Sequence, residues 1–117
     1  TVSVPAQVVA TEMIVTAQGT CDFTYSGTGV LAFTCFGHIS DTNEAGTAIG
    51  AADRTILDSK SPSGARYTTD KSSYSQERRF TVPAGTAKTF YFAGAGGGAA
   101  GSVFNVYTFL KVEVLRR

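Results

Sequence analysis

The stretch Cys21-Asp22-Phe23-Thr24-Tyr25-Ser26-Gly27-Thr28-Gly29-Val30-Leu31-Ala32-Phe33-Thr34-Cys35 decides the fold class. Cys21, Phe23 and Tyr25 alternate with Asp22, Thr24 and Ser26, the period of a strand with one apolar and one polar face. After Gly27-Thr28-Gly29 the pattern resumes with Leu31, Phe33 and Cys35. A three-residue loop with Gly29 in the left-handed conformation predicts a hairpin in which opposed residue numbers sum to 56. Tyr25 then meets Leu31, Phe23 meets Phe33, and Cys21 meets Cys35. At a non-hydrogen-bonded pair the alpha carbons stand about 4.5 Å apart, near the lower limit for a disulfide.

Two readings of the cysteines follow, a structural disulfide or a pair of buried thiols. A bridge closing this loop would contribute about 3 kcal/mol on the chain-entropy model and would place the protein in an oxidising compartment. The spacing is far from C-x-x-C, and with two cysteines and one histidine the chain has too few ligands for a zinc site, so no metal and no cofactor is expected.

Working outward, period two persists and no helical stripe appears. Residues 7–17 read as a strand apolar on both sides, with Val9, Met13 and Val15 on one face and Val8 and Ile14 on the other. Residues 40–76 are expected to hold loops and short edge strands, with a short strand in Ile49–Leu57 and a break around Pro62. Arg79 to Pro83 ends a strand, Pro83-Ala84-Gly85-Thr86 makes a turn, and Lys88 to Ala93 forms the next strand with Phe90 and Phe92 on one face. In Val103–Leu115, Phe104, Val106, Leu110, Val112 and Val114 share one face; Val103, Tyr107, Phe109 and Leu115 share the other. Such a strand is expected to be central, with its second face covered by another layer or another subunit. The fold class is therefore all-β, an antiparallel sandwich.

At 117 residues the chain suits one domain over 1–117 with one core. Hydrophobic residues at 43% and aromatics at 11% exclude intrinsic disorder. A net charge of +1 without a basic stripe argues against nucleic acid. The apolar runs are too short to span a bilayer, and a chain beginning Thr1-Val2-Ser3 is compatible with a processed leader.

Four motifs invite chemistry. His38, the sole histidine, stands near Ser40 and Asp41, the residue types of a hydrolytic triad, but no G-x-S-x-G elbow accompanies them. Gly96–Gly101 spells G-x-G-x-x-G, yet a β-patterned segment follows where a dinucleotide fold needs a helix. Asp41 to Gly46 matches the start of a calcium loop, but Ala45 and Ala52 occupy ligand positions. Arg78-Arg79 and Arg116-Arg117 read as edge-strand protection and solubility rather than a ligand site. No catalytic residue is assigned, and the expectation is a protein that is not an enzyme.

Among thirteen Phe and Tyr residues, Tyr67 and Tyr74 fall in the loop-rich middle; with Asn43 and Asp70 they are the candidates for glycan contact.

The run Arg79-Phe80-Thr81-Val82-Pro83-Ala84-Gly85-Thr86, followed by Thr89-Phe90-Tyr91-Phe92, resembles the late strands of small bacterial and phage domains of the tumour necrosis factor and complement globular-head type. The resemblance covers about residues 78–115, with a looser fit at 8–36. It implies a jelly roll that forms a compact trimer through the inner-sheet side chains around its axis. Phe104, Val106, Tyr107 and Phe109 are then the candidate interface. A hairpin disulfide is not a hallmark of that group.

The expected function is a non-catalytic structural or interaction module, secreted or carried on a cell surface or virion, that self-assembles as a trimer or filament. A lectin-like domain is the alternative, and a small secreted hydrolase relying on His38 a third.

Overall fold

The structure, a computed structural model, describes residues 1–25, 33–43, 55–60, 68–97 and 102–115. These form seven strands: β1 (Val2–Val4), β2 (Thr11–Tyr25), β3 (Phe33–Ser40), β4 (Thr55–Lys60), β5 (Thr68–Val82), β6 (Lys88–Gly97) and β7 (Ser102–Leu115). No helix occurs among the described residues, and none is therefore long and apolar enough to cross a membrane. One sheet has the order β1-β6-β3-β4 and the other β5-β2-β7, all neighbours antiparallel.

The register follows one rule. Partner numbers sum to 93 throughout β2/β5 and in β3/β4 up to Cys35, then to 92 past an irregularity at Cys35/Phe36, and to 92 in β1/β6. The chain therefore pairs with itself as one long antiparallel ribbon whose midpoint falls near residue 46. Its nested pairs alternate between sheets: β3/β4 in the first, β2/β5 in the second, β1/β6 in the first again. Two further pairings, β3/β6 and β2/β7, complete the sheets.

The hairpin expected across Gly27–Gly29 does not form. β2 and β3 lie in different sheets; Cys21 is flanked by Ser72 and Val106, and Cys35 by Asp58 and Gly96. Period two correctly sorts the faces, since Cys21 and Phe23 are buried while Asp22 and Thr24 lie on the opposite side, but it carries no information on which strand is the partner. The loop itself, residues 26–32, lies outside the described residues.

Other boundaries also shift. β2 starts at Thr11, leaving Val8 and Val9 exposed ahead of it rather than in a strand. Residues 68–76, expected as loop, belong to the fifteen-residue β5. Their polar alternation suits a strand with one solvated face, and the hydrogen bonds come from β2 rather than from local apolar contacts. Among the described residues β7 is an edge of its sheet, not a central strand. The turn after β5 forms as read: Gly85 has φ of +74°, Thr86 N–H donates to Pro83 O at 3.4 Å, and Gly85 N–H to Gln7 O at 2.8 Å. A positive φ at the third turn position is what glycine supplies there.

The core forms where the inner faces meet. Met13, Val15, Ala17 and Val82 from one sheet pack with Val4, Ile39 and Phe90 from the other. Phe92, Leu110, Val112 and Val114 flank them, so Phe90 and Phe92 do share the inner face. Strands of 14 and 15 residues, at about 3.3 Å per residue, make the molecule long, 57 × 23 × 18 Å. Its radius of gyration of 17.0 Å exceeds the ~13 Å of a spherical domain of this size.

Along the inner face of β2 the side chains shrink from Met13 through Val15 and Ala17 to Gly19, then grow again to Cys21 and Phe23. A Cβ at Gly19 would overlap the Tyr107 carbonyl oxygen and stand 2.8 Å from its carbon. These are main-chain atoms and cannot rotate away. Gly19→Ala is expected to cost roughly 1–3 kcal/mol, as overpacking does, read as a lower urea midpoint. Gly94→Ala, whose Cβ meets only ordinary contacts at 3.7 and 3.9 Å, serves as the near-neutral control.

Candidate functional site

Tyr74 lies on the inner face of β5, opposite Gly19 on β2, and Gly19 in turn is opposite Thr108 on β7. With no side chain at Gly19, the tyrosine reaches across the middle strand. Its hydroxyl donates to the Tyr107 carbonyl at 3.1 Å and accepts from the Thr108 hydroxyl. The ring stacks on Phe92 of the facing sheet, centroids 5.8 Å apart and planes 16° from parallel. Tyr74 is thus a mid-strand packing residue, not the loop-borne platform expected for a glycan.

Cys21 and Cys35 lie in the two facing sheets. Both are buried thiols here, near each other across the sandwich. Burial raises the Tyr74 phenol above its ordinary value, charge on the two sulfurs adds to the effect, and the Thr108 hydrogen bond opposes it.

One turn of the pleat away, Arg78 points inward, contrary to its expected role as edge protection. Its guanidinium reaches β3 of the facing sheet, Nη1 donating to the Ile39 carbonyl at 2.7 Å and lying 2.8 Å from His38 Nε2. An arginine only donates, so His38 accepts through Nε2 and carries its proton on Nδ1. The guanidinium also sits 4.9 Å from the Phe80 ring centroid, a cation–π contact. Arg79 alone faces outward, paired with Glu12 at 3.3 Å and Glu77 at 3.9 Å.

His38 is buried, and the nitrogen a general base would aim at a substrate hydroxyl receives Arg78 instead. Ser40 Oγ accepts from Thr42 N–H at 3.0 Å, and Asp41 accepts from Lys88 at 2.8 Å. That lysine holds the Asp41 carboxyl below its usual value, against the opposing effect of partial burial.

The remaining candidates separate. Asn43 is exposed just after β3, whereas Tyr67 lies outside the described residues, as do the Asp70 and Phe104 side chains. Residues 44–54 of the calcium-like run also lie outside them, and no metal-ligating cluster occurs among the described residues. Gly96 and Gly97 sit in β6 opposite Cys35 and Thr34, so strand precedes and follows the glycine run.

On β7 the faces divide as read. Val106, Leu110, Val112 and Val114 turn inward, and with Phe92 and Gly94 the first two line an open groove of about 560 Å³ at the rim of the two sheets. Outward stand Val103, Tyr107 and Phe109, exposed by 52%, 58% and 63%. On the same outer face the register sets Gln18 beside Phe109 and Thr20 beside Tyr107, with Ser75 and Ser73 beyond them on β5.

No protein-family model, curated protein or solved structure matches this chain.

The raised Tyr74 phenol has a pH consequence. Above pH 10 the unfolded chain loses its phenolic protons while Tyr74 in the fold keeps its own, so the unfolded state binds fewer protons and stability falls as pH rises past that point. Spectrophotometric titration should show one of the five tyrosines ionising late, and Tyr74→Phe should remove that late step.

Proposed function

We propose that this chain is a non-catalytic, extracellular structural or interaction module that assembles with copies of itself. The observation that carries the reading is the outer face of β7. Its inner face already packs against the core, yet Val103, Tyr107 and Phe109 stand in solvent on the other side. Large apolar groups lined along one exposed strand mark contact surfaces, and aromatic residues are enriched where subunits meet.

Two finer readings belong with it. The nested ribbon, with its pairs alternating between the sheets, supports a jelly roll of the kind found in the tumour necrosis factor and complement globular-head group, where trimers are the rule. The meeting of Cys21 and Cys35 across the sheets supports an inter-sheet disulfide in place of a hairpin one, and with it a secreted, cell-surface or virion location.

Light scattering of the purified protein at micromolar concentration should give a mass above the monomer's 12.2 kDa, and Tyr107→Ser with Phe109→Ser should return it to the monomer. A monodisperse wild-type monomer would sink the reading. The same aromatic pair beside Gln18, Thr20, Ser73 and Ser75 also fits a flat glycan-binding face. A monomer that gives a glycan-array signal lost in Tyr107→Ser would favour that alternative.

Intact mass under non-reducing conditions tests the bridge. Protein folded in oxidising conditions should be lighter by a pair of hydrogens, and reduction should lower its stability by about 3 kcal/mol. Two thiols that alkylate fully after oxidative folding would remove both the bridge and the export argument built on it.

A further inference from the structure

The two edges of the three-stranded sheet are built differently. β5, on one side, carries Lys71, Glu77 and Arg79 exposed along its outer face, the charge pattern that keeps an edge strand from pairing with another chain. On the other side β7 has no charged residue from Ser102 to Leu110, and its first charge is Lys111. It presents an open hydrogen-bonding edge over 14 residues among the described residues, with Val103, Tyr107 and Phe109 exposed beside it.

We propose that β7 pairs antiparallel with β7 of a second copy about a two-fold axis at Phe109, joining two three-stranded sheets into one. The inference rests on the self-assembly reading above and names its contact. Symmetry and charge together select the register. In an isologous pair each outward residue must lie opposite another outward one, so opposed numbers sum to an even value. A sum of 222 sets Lys111 against its own copy, and 226 does the same for Glu113; like charges directly opposed are unfavourable. Sums of 214 and 216 set Val103 against Lys111 and Glu113, and sums of 220 and 224 oppose no like charges but carry the partner position of Val103 past Leu115, the last residue of β7. With 218, Val103 meets Leu115, Asn105 meets Glu113, Tyr107 meets Lys111 in cation–π range, and Phe109 meets Phe109 on the axis. On the inner side Val106 meets Val112. Each of the three exposed hydrophobic residues of β7 thereby gains a suitable neighbour, and the pairing runs from Val103 to Leu115. The outer face of the other edge, β5, carries no exposed large hydrophobic residue among the described ones, so pairing there would cover nothing comparable.

The experiment is disulfide trapping with Asn105→Cys and Glu113→Cys, two exposed positions outside every ion pair described above. The register puts residue 105 of one copy directly opposite 113 of the next. Residue 105 and its own copy stand ~27 Å apart along the strand, at about 3.4 Å per residue. Mixing the two single variants under mild oxidation should give a covalent dimer that neither variant gives alone. Phe109→Lys, which places two ammonium groups on the axis, should weaken self-association at least about tenfold. A native trimer, or an oligomer that neither cross-links at 105–113 nor weakens with Phe109→Lys, overturns this contact and leaves the self-assembly reading standing. A wild-type monomer overturns both.

Discussion

The reach of Tyr74 across Gly19 is the contact on which the arrangement depends. A β-sheet holds neighbouring strands through main-chain hydrogen bonds, but it has no means of tying its two edges to each other. Here a side chain of one edge strand passes over the middle strand and bonds the main chain and a hydroxyl of the opposite edge. That path exists only because the β2 side chains taper to nothing at Gly19. The same ring lies against Phe92 of the facing sheet. One aromatic residue therefore couples both edges of one sheet to the centre of the other, some way from the aliphatic core around Met13 and Phe90. A molecule 57 Å long and two layers thick needs a second such anchor, since a core at one end cannot hold strands of 15 residues together at the other.

Arg78 performs a related task between the layers, reaching from β5 of one sheet to the Ile39 carbonyl on β3 of the other. An inward guanidinium satisfies that carbonyl and the His38 ring together, while its flat face rests on Phe80. Charge is tolerated in this place because Nη1 is engaged by two acceptors and the residue remains exposed. The neighbouring Arg79 points outward and meets carboxylates. A dibasic pair in a strand thus divides into two unrelated roles by the alternation of the pleat.

That division shows how far the sequence can be read. Alternation identified the faces of β2, β6 and β7, and proline with glycine identified the turn at 83–86, because both signals are local. The pairing was not local. Gly27-Thr28-Gly29 offers a turn at which a hairpin would join the two cysteines, with opposed numbers summing to 56; the ribbon folds instead with a sum of 93. Both registers bring the apolar residues of β2 to one face, so the hydrophobic pattern could not choose between them. β5 was hidden for another reason: Thr68 to Glu77 is polar, and a strand made of Thr, Ser, Lys and Gln has the composition of a loop. Its partner β2 supplies the ladder, and Tyr74 alone in that half signals an inner face. Cys21 and Cys35 lie near each other across the sheets rather than across the hairpin that the turn suggested. Of the candidate residues, Tyr107 and Phe109 were grouped on one face by period two, which does not say which face turns outward, whereas Tyr74 was misplaced with the segment that carries it.

The outward side of β7 cannot be explained by the stability of one copy. Burying a Phe-sized side chain contributes roughly 1.5–3 kcal/mol, and at 58% and 63% exposure Tyr107 and Phe109 forgo more than half of it. Threonine or serine would satisfy the pleat equally well at both positions, as Thr16, Thr20 and Thr24 do on the neighbouring strand. The inner face of the same strand already provides its share of the core. An exposed aromatic edge with no charge from Ser102 to Leu110 is also the condition under which strands pair indiscriminately. A chain that sets charges along the outer face of β5 and keeps β7 free of charge from Ser102 to Leu110, with Lys111 and Glu113 only beyond, treats the two edges as different objects, and the difference follows if one edge must remain single and the other must meet a partner.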